Sequence, residues 1–156
     1  MTKDDLQKFC AGADDLRYYL QAPWSRDKWS YATNGHIIVR VPRLADVAEE
    51  PKAPDAEKLL KKTTITKWMP VPACAMPEDV DCWCCEGTGR MDGGACVECN
   101  HTGKVHGFGN IDVGDTVFAQ RYLAMIQGWE IAPNGLKPAW IRNGDATGLL
   151  MPVRKD

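Results

Sequence analysis

Trp29-Ser30-Tyr31-Ala32-Thr33-Asn34-Gly35-His36-Ile37-Ile38-Val39-Arg40-Val41 is the stretch that sets the architecture. Two runs of β-branched and aromatic residues flank Asn34-Gly35. Alternation with a period of two reads as strand, and Asn-Gly supplies the two positive-φ residues of a type I′ hairpin turn. With that turn setting the register over 28–41, Ser30, Ala32, Ile37, Val39 and Val41 share one face. Trp29, Tyr31, Ile38 and Arg40 share the other. The first set reads as core, the second as a covered face or a docking surface. Pro42, which cannot donate to a ladder, ends the strand.

Upstream, Leu6, Phe9, Ala13, Leu16 and Leu20 recur at three- and four-residue steps and predict an amphipathic helix, capped by Thr2 and closed by Pro23. Gly12 inside it costs roughly 1 kcal/mol against alanine. Downstream, 45–54 is an acidic, proline-containing surface connection. A short helix follows over 55–62, with Leu59 and Leu60 inward and Lys58, Lys61 and Lys62 outward. A proline-rich stretch, 68–77, leads into a cysteine cluster. Beyond the cluster, 111–118 is β-like, and 120–127 is a helix with Tyr122, Leu123 and Ile126 inward, stopped by Gly128. Short strands at 129–132, 139–142 and 149–153 are separated by turns at Asn134-Gly135 and Asn143-Gly144. The mixture is α+β with antiparallel pairing. Tyr31-Ala32-Thr33-Asn34-Gly35 is echoed in Trp140-Ile141-Arg142-Asn143-Gly144, each an aromatic-x-x-Asn-Gly before an apolar strand.

A chain of 156 residues is the size of one domain, with room for a small insert. A net charge of −2 makes no global demand for nucleic acid or an anionic membrane. No apolar run approaches the roughly 20 residues of a membrane span, and the acidic start, Met1-Thr2-Lys3-Asp4-Asp5, lacks the positive flank of a signal peptide. These features predict a cytoplasmic protein with no membrane partner and reduced thiols.

Five of the seven cysteines fall within eighteen residues, which in a reducing compartment points to metal. Cys82-Trp83-Cys84-Cys85-Glu86-Gly87-Thr88-Gly89 and Cys96-Val97-Glu98-Cys99-Asn100-His101-Thr102-Gly103 are two similar Cys-x-x-Cys knuckles. The predicted ligands are Cys82, Cys85, Cys96 and Cys99. Four thiolates suit one tetrahedral Zn²⁺ and leave no open position, hence a structural site. Gly87 and Gly89 allow the bend that points backbone N–H groups at a sulfur, and Gly93-Gly94 turns the chain between the halves. Cys84 competes with Cys85, but only Cys85 repeats the spacing of the second knuckle. Cys10 reads as core, Cys74 as a loop or core thiol, and His101 and His106 as surface histidines. A dithiol redox pair is the alternative, and it lacks a thioredoxin-like βαβ context.

The Cys-x-x-Cys-x-Gly-x-Gly pattern resembles the cysteine-rich zinc domain of the DnaJ co-chaperones over about 25 residues, with His101 where that family has glycine. No His-Pro-Asp signature of a J-domain is present. Outside the cluster, Ala32-Thr33-Asn34-Gly35-His36, the run Thr116-Val117-Phe118-Ala119-Gln120-Arg121-Tyr122-Leu123 and the terminal Leu149-Leu150-Met151-Pro152-Val153-Arg154 resemble, in order, three anchors of the bacterial DNA sliding clamp. That resemblance implies a clamp-like domain over 1–80 and 105–156, built of two β-α-β-β-β halves on an antiparallel sheet, with a zinc ribbon inserted at 81–104. It also implies a pocket for short peptide motifs of partner proteins at Thr33, Gly35, His36, Ile37, Met151, Pro152 and Val153. In clamps these elements come from neighbouring domains, so a one-domain chain would rebuild the pocket between subunits or lack it. Clamps carry three such domains and no zinc, and the tail lacks the family's final leucine.

No phosphate-binding glycine loop, nucleophile elbow or His-Glu-x-x-His pair is present, so a non-enzyme is predicted. The leading expectation is a clamp-related binding module of DNA metabolism, of the kind a phage or mobile element carries. Its expected partners are proteins, with DNA and a homo-oligomer open. The alternative is a DnaJ-like ribbon module for protein–protein contact, an accessory to chaperones. Lys3, Lys8, Arg17, Lys58, Lys61, Lys62 and Arg121 fall on predicted helices where a clamp faces DNA. Asp4, Asp5, Asp14 and Asp15 work against phosphate binding there.

Overall fold

The hairpin forms with the predicted faces but a register shifted by two residues, in a computed structural model that describes residues 1–154. β1 (Trp24–Arg26), β2 (Trp29–Thr33) and β3 (Ile37–Pro42) are antiparallel, with Ser30 opposite Val41 and Ala32 opposite Val39. The turn differs from the type I′ expectation. Thr33 pairs with Ile38, and Gly35 alone between them has a positive φ, +94°. The Asn34 Oδ1 accepts from the N–H groups of His36 (2.9 Å) and Ile37 (3.2 Å), and the Thr33 hydroxyl donates to the Ile37 carbonyl (2.7 Å). Side chains close this loop, so Asn34 has no need of left-handed backbone.

The predicted first helix is cut short. α1 (Lys3–Gln7) has the Thr2 cap, reinforced by Asp5 in a reciprocal capping box. The chain then loops to a 3₁₀ turn at Tyr18–Leu20, with the Ala11 N–H donating to the Leu20 carbonyl at 2.8 Å. Leu16, expected on the buried face, is 99% exposed. The Asp15 carboxylate accepts from the Arg17 N–H and guanidinium, a local bond that competes with helix.

α2 (Ala56–Lys62) and β4 (Met69–Pro70) follow β3. After the cysteine segment, whose short strands are β5 (Val80–Asp81), β6 (Arg90–Met91), β7 (Gly94–Ala95) and β8 (Lys104–Val105), come β9 (Asn110–Val113), β10 (Thr116–Ala119), α3 (Gln120–Met125), β11 (Glu130–Asn134), β12 (Lys137–Asn143) and β13 (Ala146–Leu150). The segment expected as one strand at 111–118 is thus a hairpin turning at Gly114-Asp115. The two later turns are Gly135-Leu136 and Gly144-Asp145, one residue on from the Asn-Gly expectation, with glycine first at φ +60° and +59°. β13 ends at Leu150, short of the predicted 153.

Seven strands form one antiparallel sheet in the order β1-β2-β3-β13-β12-β11-β4. Both faces are covered. α1, α3 and the β9–β10 hairpin contribute Leu6, Phe118 and Leu123 to a core with Val39, Ile131 and Ile141 of the sheet. On the opposite face, α2 lays Ala56 and Leu60 against Trp24, Tyr31, Ile38, Trp140 and Leu149. The second face of the hairpin is therefore a covered face. Leu60 is buried as predicted, but Leu59 is 43% exposed. Polar ties fix α2: the Tyr31 hydroxyl and Arg40 guanidinium both bond Glu57, and the Trp140 indole donates to the Thr63 carbonyl at 2.8 Å.

The echo marks equivalent places. α1-β1-β2-β3 and α3-β11-β12-β13 share one order, and their strands meet at β3–β13 in the middle of the sheet. Tyr31 and Trp140 pack on the α2 face, and Ala32 and Ile141 on the other. β10 leads directly into α3. Among the described residues no helix is long and apolar enough to cross a membrane.

Candidate functional site

The two knuckles fold as near copies of each other. A step of fourteen residues carries Cys82 onto Cys96 and Cys85 onto Cys99, and the hydrogen bonds follow it. The Gly87 N–H donates to the Cys82 carbonyl (3.2 Å) and the His101 N–H to the Cys96 carbonyl (3.1 Å). The Thr88 and Thr102 hydroxyls donate to the carbonyls of Cys85 (2.8 Å) and Cys99 (2.7 Å). Each half also closes on the other: the Cys82 N–H reaches the Gly103 carbonyl (2.8 Å), and the Cys96 N–H the Gly89 carbonyl (3.0 Å). The strand pairs obey the same relation, β5 with β8 at the base and β6 with β7 at the tip.

Gly89 and Gly103 are required by close approach. Each has positive φ (+76° and +74°), and a Cβ there would run into a backbone carbonyl of the opposite knuckle, that of His101 and of Gly87 respectively. With no side chain in the way, the Gly89 N–H donates to the Cys85 sulfur at 3.1 Å and the Gly103 N–H to the Cys99 sulfur at 3.2 Å. His101, the counterpart of Gly87, holds a left-handed φ of +69° without glycine's freedom.

All four cysteines are buried, and their sulfurs lie within 4.8 Å of one another. Cys82 and Cys96 Sγ are 3.9 Å apart, Cys85 and Cys99 Sγ 3.7 Å. Four sulfurs at ~2.3 Å around a tetrahedral ion would sit about 3.8 Å apart, so the cluster is shaped to hold a metal ion such as zinc. Its electrostatics suit a cation. Burial opposes ionisation of Cys85, but the Gly89 N–H and neighbouring sulfurs outweigh it and bring that thiol down to about 6. Burial pushes Cys99 up to about 11. The first thiolate forms readily, and further charge in so small a volume needs a positive ion. Cys84 lies outside the four, half-buried against them, its thiol pushed up by burial and by Cys96 and Cys82. Cys10 and Cys74 are half-buried beside the main core, and His101 and His106 are exposed.

A cavity of about 310 Å³ lies at the opposite end of the hairpin from Pro42. Thr33, Gly35, His36, Ile37 and Met151, five of the seven residues that the clamp resemblance nominates, line it within a single chain. No second subunit is needed to bring them together. The Met151 N–H donates to the His36 carbonyl at 2.9 Å, which docks the tail beside the hairpin loop. Pro152 and Val153 are outside the lining, and the Val153 N–H bonds the Val117 carbonyl at 2.8 Å. Arg17, Tyr19 and Leu20 complete one wall, with Leu59 on the α2 side. The sequence reading missed these three because it placed them in a continuous helix. Asp15 grips Arg17 through Nε (3.0 Å) and a terminal nitrogen (2.8 Å), which sets the guanidinium over Gly35 and holds the Asp15 carboxyl at about 2. His36 stacks on Tyr122 with centroids 5.8 Å apart.

The basic residues do not gather on one surface. Lys3, Lys8 and Arg121 are on the α1–α3 side, whereas Lys58, Lys61 and Lys62 are on α2 across the sheet. No protein-family model, curated protein or solved structure matches the chain.

Proposed function

We propose that this chain is a non-enzymatic, zinc-stabilised binding protein of DNA metabolism, related to the sliding clamps, whose cavity takes a short apolar segment of a partner protein. The observation that carries the reading is the cavity itself, where Met151 from the end of β13 meets the Thr33–Ile37 loop. Apolar walls with a few polar groups at the rim suit an extended peptide that inserts one or two side chains. One Zn²⁺ per chain, held by Cys82, Cys85, Cys96 and Cys99, supplies folding energy to the ribbon and, with four thiolates around it, has no position for a reacting water. Reduced thiols fit a cytoplasmic protein.

Fluorescence anisotropy with a labelled clamp-binding peptide from a replicative polymerase tests the cavity. Micromolar binding is expected, weakened more than about tenfold by Met151→Glu, a loss of roughly 1.4 kcal/mol or more. Zinc content and circular dichroism should not change. No binding by the native chain, or equal binding by the variant, overturns the reading. A second reading, a DnaJ-like ribbon that holds a protein, is favoured by Trp83 and Val97. These occupy equivalent positions in the two knuckles and are 71% and 93% exposed. Under that reading Trp83→Ala removes partner binding and Met151→Glu does not.

A further inference from the structure

The ribbon's knuckles carry more exposed apolar surface than a structural metal site needs, in an acidic setting. Between residues 78 and 105 six carboxylates face two cations, and one of those, Lys104, is spent on Asp81. Four thiolates also outweigh one divalent ion by two charges. Trp83 and Val97 stand out from the knuckles, with Glu98 next to Val97 in the chain. Glu86 and Glu98 make no ion pair among the described residues. Such a surface repels nucleic acid and calls for a cationic, apolar occupant.

The same chain presents one. Along α2 and the segment after it, Lys58, Lys61, Lys62 and Lys67 are exposed and likewise without an ion pair among the described residues. Leu59 and Ile65 lie among them, 43% and 52% exposed. The ribbon stems from the α3 side of the sheet, where Pro77 and His106 border a cavity with Met125, while α2 covers the opposite face. A ribbon therefore meets the lysine patch of another copy rather than its own.

We propose that the chain self-associates head to tail, the knuckles of one copy's ribbon (Trp83, Val97, Glu86, Glu98) seated on the α2 patch of the next (Lys58, Leu59, Lys61, Lys62). The contact is heterologous, so it propagates or closes into a ring. Being largely electrostatic at its rim, it weakens with salt. The inference does not rest on the cavity binding a peptide.

Sedimentation velocity of the zinc-loaded full chain at low and high salt tests it. The native chain should associate at low salt and dissociate at high salt. Lys58→Glu/Lys61→Glu/Lys62→Glu and, separately, Glu86→Lys/Glu98→Lys should each weaken association more than about tenfold, because like charges then oppose one another. An equimolar mixture of the two variants should associate again, since each offers the charge the other lacks. A native chain that stays monomeric at low salt, including one whose lysine patch binds a DNA oligonucleotide instead, overturns the proposal. So does a mixture of variants that stays dissociated.

Discussion

Three glycines in the ribbon separate the effects of backbone conformation and of crowding. Gly94 has negative φ and open space around it, so Gly94→Ala should leave zinc affinity unchanged or slightly improved by the smaller freedom of the unfolded chain. Gly93 has φ +83° and nothing within 4 Å. Alanine there bears only the left-handed penalty of about 1–2 kcal/mol, a five- to thirtyfold loss. Gly89 has a similar φ, +76°, but its Cβ would strike the His101 carbonyl across the pseudo-symmetric interface. Relief of that collision moves the knuckles apart and stretches the N–H bond to the Cys85 sulfur, 3.1 Å long in the native chain. A hydrogen bond to a charged group contributes about 1.5–3 kcal/mol, so the total with the left-handed penalty is about 2.5–5 kcal/mol. Because metal binding here is local folding, that total should emerge as a loss of about two to four orders of magnitude in zinc affinity. Competition with a chromophoric chelator near neutral pH, under reductant, measures it. A Gly89→Ala affinity within threefold of that of Gly93→Ala would refute the reasoning, because crowding between the knuckles would then contribute nothing.

Cys96→Ser should abolish stoichiometric zinc and disorder the ribbon while the sheet keeps its far-ultraviolet signature. The four cysteines form a cluster separate from both main cores, and full zinc in that variant would sink the ligand assignment. His101→Gly should tighten zinc up to about fivefold by relieving a left-handed residue, and a looser site would show that the imidazole holds the knuckle. Glu57→Gln should destabilise the fold at neutral pH by about 1 kcal/mol after allowance for solvent screening. Partial burial opposes the Glu57 charge, but bonds from Arg40 and Tyr31 outweigh it and place the folded carboxyl below its ordinary 4.5. That stabilisation is complete above 4.5 and is lost as pH falls through the lower folded value. The difference between native and variant denaturant midpoints should therefore shrink in acid, and a constant gap would remove Glu57 from the account.

Where side-chain chemistry dominates, the sequence was legible. Paired Cys-x-x-Cys spacing identified the four cysteines that come together, and alternation from Trp29 to Val41 put Ala32, Ile37, Val39 and Val41 on one face of the hairpin and Tyr31 and Ile38 on the other. Tyr122, Leu123 and Ile126 are buried as expected, but the helix predicted to run to 127 ends at Met125, and Gly128, with its positive φ, sits in the turn that follows. Illegible were the places where a local polar bond outbids periodicity. Asp15 captures Arg17 and unwinds a stretch whose leucines are spaced for a helix, and Asn34 closes its own loop. The first of these hid one wall of the cavity, since Arg17, Tyr19 and Leu20 converge on the hairpin only once the helix is broken. Gathering Met151 with Thr33 depends on which strands pair across the middle of the sheet, which no local pattern specifies.

That central pairing also dictates how the protein can be made. β3 and β13 lie side by side, tied by a bond from Arg40 to Thr147 that spans 107 residues of chain, and Gly148 lets the two backbones press together at Ile38. During synthesis the first three strands emerge early but wait, with an unsatisfied sheet edge along β3, until β13 has left the ribosome. Hydrophobic strand surface left open for that long invites pairing with other nascent chains. The ribbon, whose contacts are all local, can meanwhile bind its metal and fold first.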